Sequence, residues 1–461
     1  MAAARPERAS PEGALRLTDW HDLGPEERKG RAAFCLSLGP VLDDHLNAFI
    51  HRSEPIDKPL SGPLASLPFA AKDMFTTANR EPSLGLADHH VGSLTKSHEQ
   101  ASVLKSLCTQ GADYLGAVRM TPLAYEPSGH NPFQDYPVNP WKAEYATGAS
   151  SSGSAVAVAS GLADIAIGSD TAGSLRIPAQ GCGVTAWKPT HGTISTDGAM
   201  ELAPSLDDIG LLARSAATIA EVAPYLGADG SLKEEKAAGA VTLAFAADVF
   251  SSCHPSIREA MAGCVAIFRS IGFTLEETGV AEFISTTGDR TMVVLQYEAA
   301  RSHKAVLASP DFNPLLKKRL AKGFEIDQSL YEAHLAEREN LRTVFAQDVL
   351  RGRDAFLLPV MPIRTPPLTE TVPGSDTFRP RTLYELSAFT RFVNYLGLPA
   401  VAFPIGFDNN RMPLAAQLVG RLGSDMQLLS LVEQFQSASD WHGRLPAGIS
   451  DKSSALAEGL L

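Results

Sequence analysis

Residues 147–176 read T-G-A-S-S-S-G-S-A-V-A-V-A-S-G-L-A-D-I-A-I-G-S-D-T-A-G-S-L-R. Three consecutive serines, Ser150 to Ser152, lie in a glycine- and alanine-rich run, and Ser174 follows Ala172 and Gly173. Between them, Ala155-Val156-Ala157-Val158-Ala159 suits a tightly packed helix and Ile165 to Ile167 suits a short buried strand. Glycine accepts backbone angles that other residues resist. Successive N–H groups in such a turn can converge on one negative oxygen, as acyl transfer requires. A Gly/Ser run is otherwise a loop or linker, but a linker carries neither that helix nor the strand after it.

Upstream, Leu67-Pro68-Phe69-Ala70-Ala71-Lys72-Asp73-Met74-Phe75 is an apolar, strand-like run holding one lysine. Two readings stand for Lys72. Its stem lies on the surface with the head in water, or it is a buried amine whose pKa desolvation lowers enough to make it a base.

The rest of the chain alternates helical and strand patterns. Residues 14–50 read as helical, and residues 1–13 as disordered. Helices are expected at 98–109, 214–228, 255–270 and 425–438, and strands at 111–118, 241–247 and 354–359. Residues 398–405 and 413–419 read as paired strands around Asp408-Asn409-Asn410-Arg411. Residues 288–350 are mostly helical and highly charged, and 121–146 form a long irregular loop of the kind that lines a site. The alternation implies an α/β fold with a mixed sheet.

Composition narrows the function. The chain has 461 residues, 44% hydrophobic, with a formal net charge of -12. An acidic chain lacks the basic face that nucleic acid requires and favours solution over an anionic lipid surface. No run reaches the ~18 apolar residues of a membrane span, and residues 1–13 show no secretory signal. Five scattered cysteines fit a reducing, cytoplasmic setting. No metal-ligand spacing appears, and no cofactor is called for.

Several decoys fall away. Ser93 to Lys96 and Ser102 to Lys105 match S-x-x-K, but the S-D-N and K-T-G partners of that pattern are missing. Gly181 to Ala186 matches G-x-G-x-x-A without a hydrophobic strand before it. His191 reads as structural or exposed, and Cys182 as a small buried residue.

Taken together, Lys72, Ser150 in its Gly/Ser run and Ser174 after D-T-A-G resemble the amidase signature family. Agreement extends, in order, through Asn139-Pro140-Trp141, Lys188-Pro189-Thr190, Asp207-Asp208-Ile209-Gly210, Gly397-Leu398-Pro399-Ala400 and Pro413 to Gly420. Ala149, Ser152 and Ala172 stand where the family commonly has glycine, and Pro122 where it usually has an acidic or polar residue.

The resemblance implies one large domain, a central mixed β-sheet covered by helices, over residues 56–461. Residues 1–55 would form an N-terminal arm and helices, and 216–350 a variable, largely helical segment. It implies hydrolysis of a small-molecule carboxylic amide through a seryl acyl-enzyme. Ser174 would be the nucleophile, Ser150 the proton relay behind a cis Ala149–Ser150 peptide, and Lys72 the base. The N–H groups of Thr171, Ala172, Gly173 and Ser174 would form the oxyanion hole, with Ser151, Asp170 and Arg176 in support. Tyr125, Phe133 and Tyr136 are candidate pocket walls. The expected partners are an amide substrate and, in a homodimer, a second copy of the chain. Two other classes remain open: a glutaminase-type subunit of a transamidating complex, and an inactive scaffold.

Overall fold

The computed structural model describes residues 18–53, 61–87, 99–227, 232, 240–307, 313–449 and 451. The expected disorder of residues 1–13 and the Ser93–Lys96 match lie outside them.

Eleven strands form one mixed sheet: β1 (Phe49–Arg52), β2 (Pro68–Lys72), β3 (Asp113–Val118), β4 (Ile165–Asp170), β5 (Thr185–Lys188), β6 (Asp208–Ala213), β7 (Thr242–Phe245), β8 (Thr274–Glu277), β9 (Ala355–Pro359), β10 (Ala400–Phe407) and β11 (Pro413–Val419). Their spatial order is β1-β3-β2-β4-β6-β5-β10-β11-β9-β7-β8. β2 runs parallel to both β3 and β4, β7 runs parallel to β8 and β9, and the remaining pairs are antiparallel. The α/β class and the central mixed sheet are as the sequence implies.

The strands near the site lack polar alternation because helices or loops cover both faces. β2, β4 and β6 are buried at every position. The two faces nevertheless differ in residue size. Phe69, Ile165, Ile167, Leu211 and Trp187 fill one side of the sheet. Ala70, Ala166, Ala186, Ala402 and Ala415 face the other. Against these small residues pack two fully buried helices, Ser152–Ala159 and Arg176–Cys182. Small side chains on both surfaces bring the helix backbone close to the sheet, and the serine-rich loop with it.

Gly153 shows how close. Its N–H donates to the Arg119 carbonyl at 3.0 Å. A Cβ at this position would fall 2.4 Å from that oxygen and 2.8 Å from the Ala48 carbonyl oxygen.

Some boundaries differ from the sequence reading. The N-terminal helix Arg31–Leu46 stops at Asn47, which takes a left-handed cap with φ 50°. Residues 49–52, which the sequence reading places at or just past a helix end, instead form edge strand β1 against β3. Local apolar spacing does not reveal an edge pairing made with a strand some 65 residues away. The helix expected from residue 98 begins at Ser102, and that expected over 214–228 spans Ala216–Val222 followed by a 3-10 turn. Pro255–Ser270 forms as expected. Strands β5, β6 and β8 have no counterpart in the sequence reading. The paired strands near the C-terminus form as β10 and β11, closed by an Asp408–Met412 backbone bond. Among the described residues no helix is long and apolar enough to cross a membrane.

Because the clash at Gly153 is with backbone, Gly153→Ala is expected to destabilise the fold by about 1–3 kcal/mol. Urea denaturation measures it, and a change below about 0.5 kcal/mol would show that the helix shifts without cost.

Candidate active site

Lys72 ends β2, and β4 runs parallel beside it with Ala71 opposite Ile167. That register sets the end of β2 next to Ser169. Lys72 Nζ lies 2.6 Å from Ser150 Oγ and 2.8 Å from Ser169 Oγ. The side chain is 1% exposed and, among the described residues, has no carboxylate in contact. Burial dominates its protonation and lowers its pKa to about 7, against the opposing fields of Asp207 and Asp170. A neutral amine has two donors and one lone pair. It can donate to Ser169 and still accept the Ser150 hydroxyl proton.

Ser150 is fully buried, and the Ala149–Ser150 peptide is cis. Its loop is tied to the strand and to the turn that carries Ser174. Ser151 Oγ donates to the Ser169 carbonyl at 3.1 Å, and Ser151 N–H donates to the Ser174 carbonyl at 3.2 Å. Ser154 Oγ donates to the Ile167 carbonyl at 3.0 Å.

Ser174 lies in the turn between β4 and the helix Arg176–Cys182. Asp170, the last residue of β4, shapes this turn. Its carboxylate accepts the Gly173 N–H at 2.7 Å and the Leu175 N–H at 3.1 Å. Arg176 returns to it through Nε and Nη2, both at 3.0 Å. The remaining Arg176 donors reach Gln417 Oε1, the Thr390 carbonyl and Asn394 Oδ1. Burial alone would raise the Asp170 pKa, but the Arg176 charge and its hydrogen bonds, with Lys188 and Asn394, hold it at about 2. Gly173 has φ 129°, and a Cβ there would meet Thr390 Oγ1 at 2.2 Å.

The expected oxyanion donors are therefore unequal. The Gly173 N–H points to Asp170, because the same carboxylate must brace the turn. Thr171, Ala172 and Ser174 all line an open cavity of about 450 Å³. Thr171 is held through Oγ1, which donates to Asp207 at 2.6 Å. Burial raises the Asp207 pKa to about 6, against the hydrogen bonds from Thr171, Leu202 and Ala203.

Of the three aromatic wall candidates, only Tyr125 lines this cavity. Phe133 packs on the hydrophobic core, and Tyr136 lies 5.2 Å from the His130 ring. Asn131 turns the loop away by donating to the Gly85 and Met120 carbonyls. His191 Nδ1 lies 2.9 Å from Asp208, and Cys182 is buried with burial raising its pKa.

Several site residues escape the sequence reading: Ser169, Asp207, Glu126, Thr390, Arg391 and Asn394. Ser169 has a signal, since it is the polar residue beside Asp170 in an otherwise apolar strand. Asp207 has one as well, within the Asp207-Asp208-Ile209-Gly210 run. Glu126 lies in the 121–146 loop expected to line a site, whereas Thr390, Arg391 and Asn394 come from a distant segment with no local mark. Among the described residues no group of three or more His, Cys, Asp or Glu is placed to hold a metal ion.

Comparison with known proteins places the chain in a family. A glutamyl-tRNA(Gln) amidotransferase subunit from Chromohalobacter salexigens is 28% identical over 421 residues, covering 83% of this chain and 85% of that protein. A crystal structure of an amidase superposes with a TM-score of 0.78 at 26% identity, covering 88% of this chain and 95% of the other. The corresponding glutamyl-tRNA(Gln) amidotransferase subunit from Thermotoga maritima gives 0.76 at 25% identity, covering 92% and 95%. The Amidase family model matches residues 47–429, and the chain belongs to the amidase signature family of hydrolases.

Proposed function

We propose that this hydrolase cleaves a carboxylic amide of a small molecule through an acyl-enzyme on Ser174. The observation that carries the reading is the contact of Lys72 Nζ with Ser150 Oγ at 2.6 Å, buried beside the turn that presents Ser174 to the cavity. Serine is a weak nucleophile at its free pKa and needs a base. Lys72, neutral at rest, takes the Ser150 proton while Ser150 takes that of Ser174. The Ser174 Oγ–carbonyl bond forms, and the carbonyl oxygen becomes an oxyanion facing the N–H groups of Thr171, Ala172 and Ser174. The relay then returns the proton to the leaving nitrogen as the C–N bond breaks. Water attacks the ester by the same path, releasing the acid and restoring Ser174.

The five cysteines are unpaired thiols, which supports a reducing, cytoplasmic setting. A second reading is favoured by the names of the relatives: a glutaminase-type subunit that passes ammonia to a partner. The two part on a single measurement. Ammonia release by the purified chain from simple primary amides supports the hydrolase. Release from glutamine alone, and only in a complex, supports the glutaminase reading. An inactive scaffold would release none.

The three side chains should behave as one unit. Ser174→Ala is expected to abolish acyl-enzyme formation. Lys72→Ala/Ser174→Ala should be little worse than Ser174→Ala alone, because residues that act together lose activity non-additively. A sulfonyl fluoride should label Ser174, and peptide mapping locates the adduct. Labelling at Cys182, or near-wild-type turnover in Ser174→Ala, would show that the nucleophile is elsewhere.

The pH dependence follows from Lys72. The base works deprotonated and its pKa is lowered from 10.5 to about 7. The ratio kcat/KM, which reports the free enzyme, should therefore rise as pH increases through about 7 and level off above it. A profile that is still climbing at pH 9 would mean a base with an ordinary lysine pKa.

Hydrolysis is also expected to be metal-independent, since the sequence has no ligand spacing. Dialysis against a chelator should leave the rate unchanged. A loss restored by Zn²⁺ would overturn this.

A further inference from the structure

Arg391 is the most unusual charged group in the cavity wall. It opens the helix Arg391–Leu396 and is 3% exposed, yet it lines the same cavity as Ser174. Its Nε and Nη1 are buried and meet no hydrogen-bond acceptor among the described residues, while the Tyr384 hydroxyl lies close enough to interact with the guanidinium. The guanidinium stacks on Tyr384, 3.9 Å from the ring centroid. Asp289, whose field reaches it, already accepts the Tyr384 hydroxyl at 2.7 Å. Room for the side chain comes from Gly288, where a Cβ would lie 2.9 Å from Nε. Its backbone is fixed as well, because the Thr291 hydroxyl donates to the Arg391 carbonyl at 3.1 Å. A buried guanidinium with open donors is costly unless an anion meets it.

The rest of the lining supports an anion. One carboxylate, Glu126, stands against three cations, Arg319, Lys322 and Arg391. Glu126 is already served by Ser128 and Gly129, and Arg319 lies in its field. Between the charged positions the wall is apolar, with Met292, Leu295, Phe378 and Leu383. Arg391 also follows Thr390, whose hydroxyl donates to the Ala172 carbonyl at 2.6 Å in the turn that carries Ser174.

We propose that Arg391 receives a carboxylate on the acyl part of the substrate, so that the preferred amides are half-amides of slender dicarboxylic acids. This rests on the hydrolase reading above. A guanidinium binds carboxylate through paired N–H donors, and the apolar wall takes the methylene chain. The scissile amide at the other end then meets Ser174.

The test compares the monoamides of succinic, glutaric and adipic acid with uncharged amides of matching length, such as hexanamide against adipic monoamide. The readout is the ratio of kcat/KM between charged and uncharged members, in wild type, Arg391→Lys and Arg391→Met. For at least one chain length wild type should favour the carboxylate by about 10- to 100-fold, as expected for a hydrogen bond to a charged group. Arg391→Met should bring that ratio to near one, and Arg391→Lys should keep part of it. A purely structural Arg391 would lower both rates together and leave the ratio intact, which would overturn the proposal. A wild-type ratio near or below one at every length would also overturn it, while leaving the hydrolase reading in place. If wild type hydrolyses no amide in either series, the hydrolase reading fails and this inference fails with it.

Discussion

The site depends on the buried ion pair between Asp170 and Arg176. Both side chains are fully buried. Such a pair is stabilising only where geometry is good and every remaining donor and acceptor is matched. Here they are matched. Asp170 takes two backbone N–H groups of the nucleophile turn, both arms of Arg176 and the amide of Asn394. Arg176 extends to Gln417 on β11 and to Thr390 and Asn394 at the helix Arg391–Leu396. One pair therefore fastens a turn near residue 173 to segments more than 200 residues later. The matched hydrogen bonds offset the cost of burying two charges, and they fix Ser174 and its flanking N–H groups in place, the preorganisation that the proposed chemistry would need.

Two buried lysines at strand ends show how partner choice sets chemistry. Lys188, at the end of β5, forms a direct ion pair with Asp208 and donates to the Pro189 carbonyl at 2.7 Å. Lys72, at the end of β2, hydrogen-bonds through its amine to two hydroxyls and to no other group among the described residues. Its carboxylates act from a distance, and burial outweighs them. Had Asp207 reached Lys72, the amine would be held as an ammonium. Asp207 is occupied instead by Thr171 and by the N–H groups of Leu202 and Ala203. The carboxylate that could have held Lys72 protonated instead braces Thr171.

Much of this is legible in the chain because it is written locally. The run from Thr147 to Arg176 encodes the close-packed helix, β4 and the two serine turns within thirty residues. The apolar context of Lys72 encodes its burial. What escapes is set by strand order. β2 and β4 are neighbours although 93 residues separate Lys72 from Ile165, and β6 inserts between β4 and β5. That order brings Ser169 to Lys72 and Asp207 to Thr171, contacts that no local pattern announces. Phe133 and Tyr136 fall outside the cavity for a related reason. An aromatic residue in a long loop faces a cavity or the core according to where loop bonds such as those of Asn131 turn the backbone. Composition does not encode that turn.

The division of labour in the cavity has a consequence for how the enzyme can vary. Lys72 stands at the end of β2, and Ser150 and Ser174 stand in the turns that lead into the two small-residue helices, a region where Gly153 and Gly173 leave no space for a Cβ. The opposite wall comes from residues 292–296, 315–322 and 373–391, within and beyond the variable segment. Leu315 and Tyr384 are nearly half exposed there, whereas Leu295 and Arg391 are buried. Among the described residues no hydrogen bond of Lys72 reaches this wall, so under the proposed function a change there would alter which acyl group fits without moving Lys72 or Ser150. The bridge between the halves is Thr390, which touches the turn that carries Ser174, followed at once by Arg391 in the wall. An anion seated on Arg391, as proposed, would therefore be held at a fixed offset from Ser174 by adjacent residues of one chain segment.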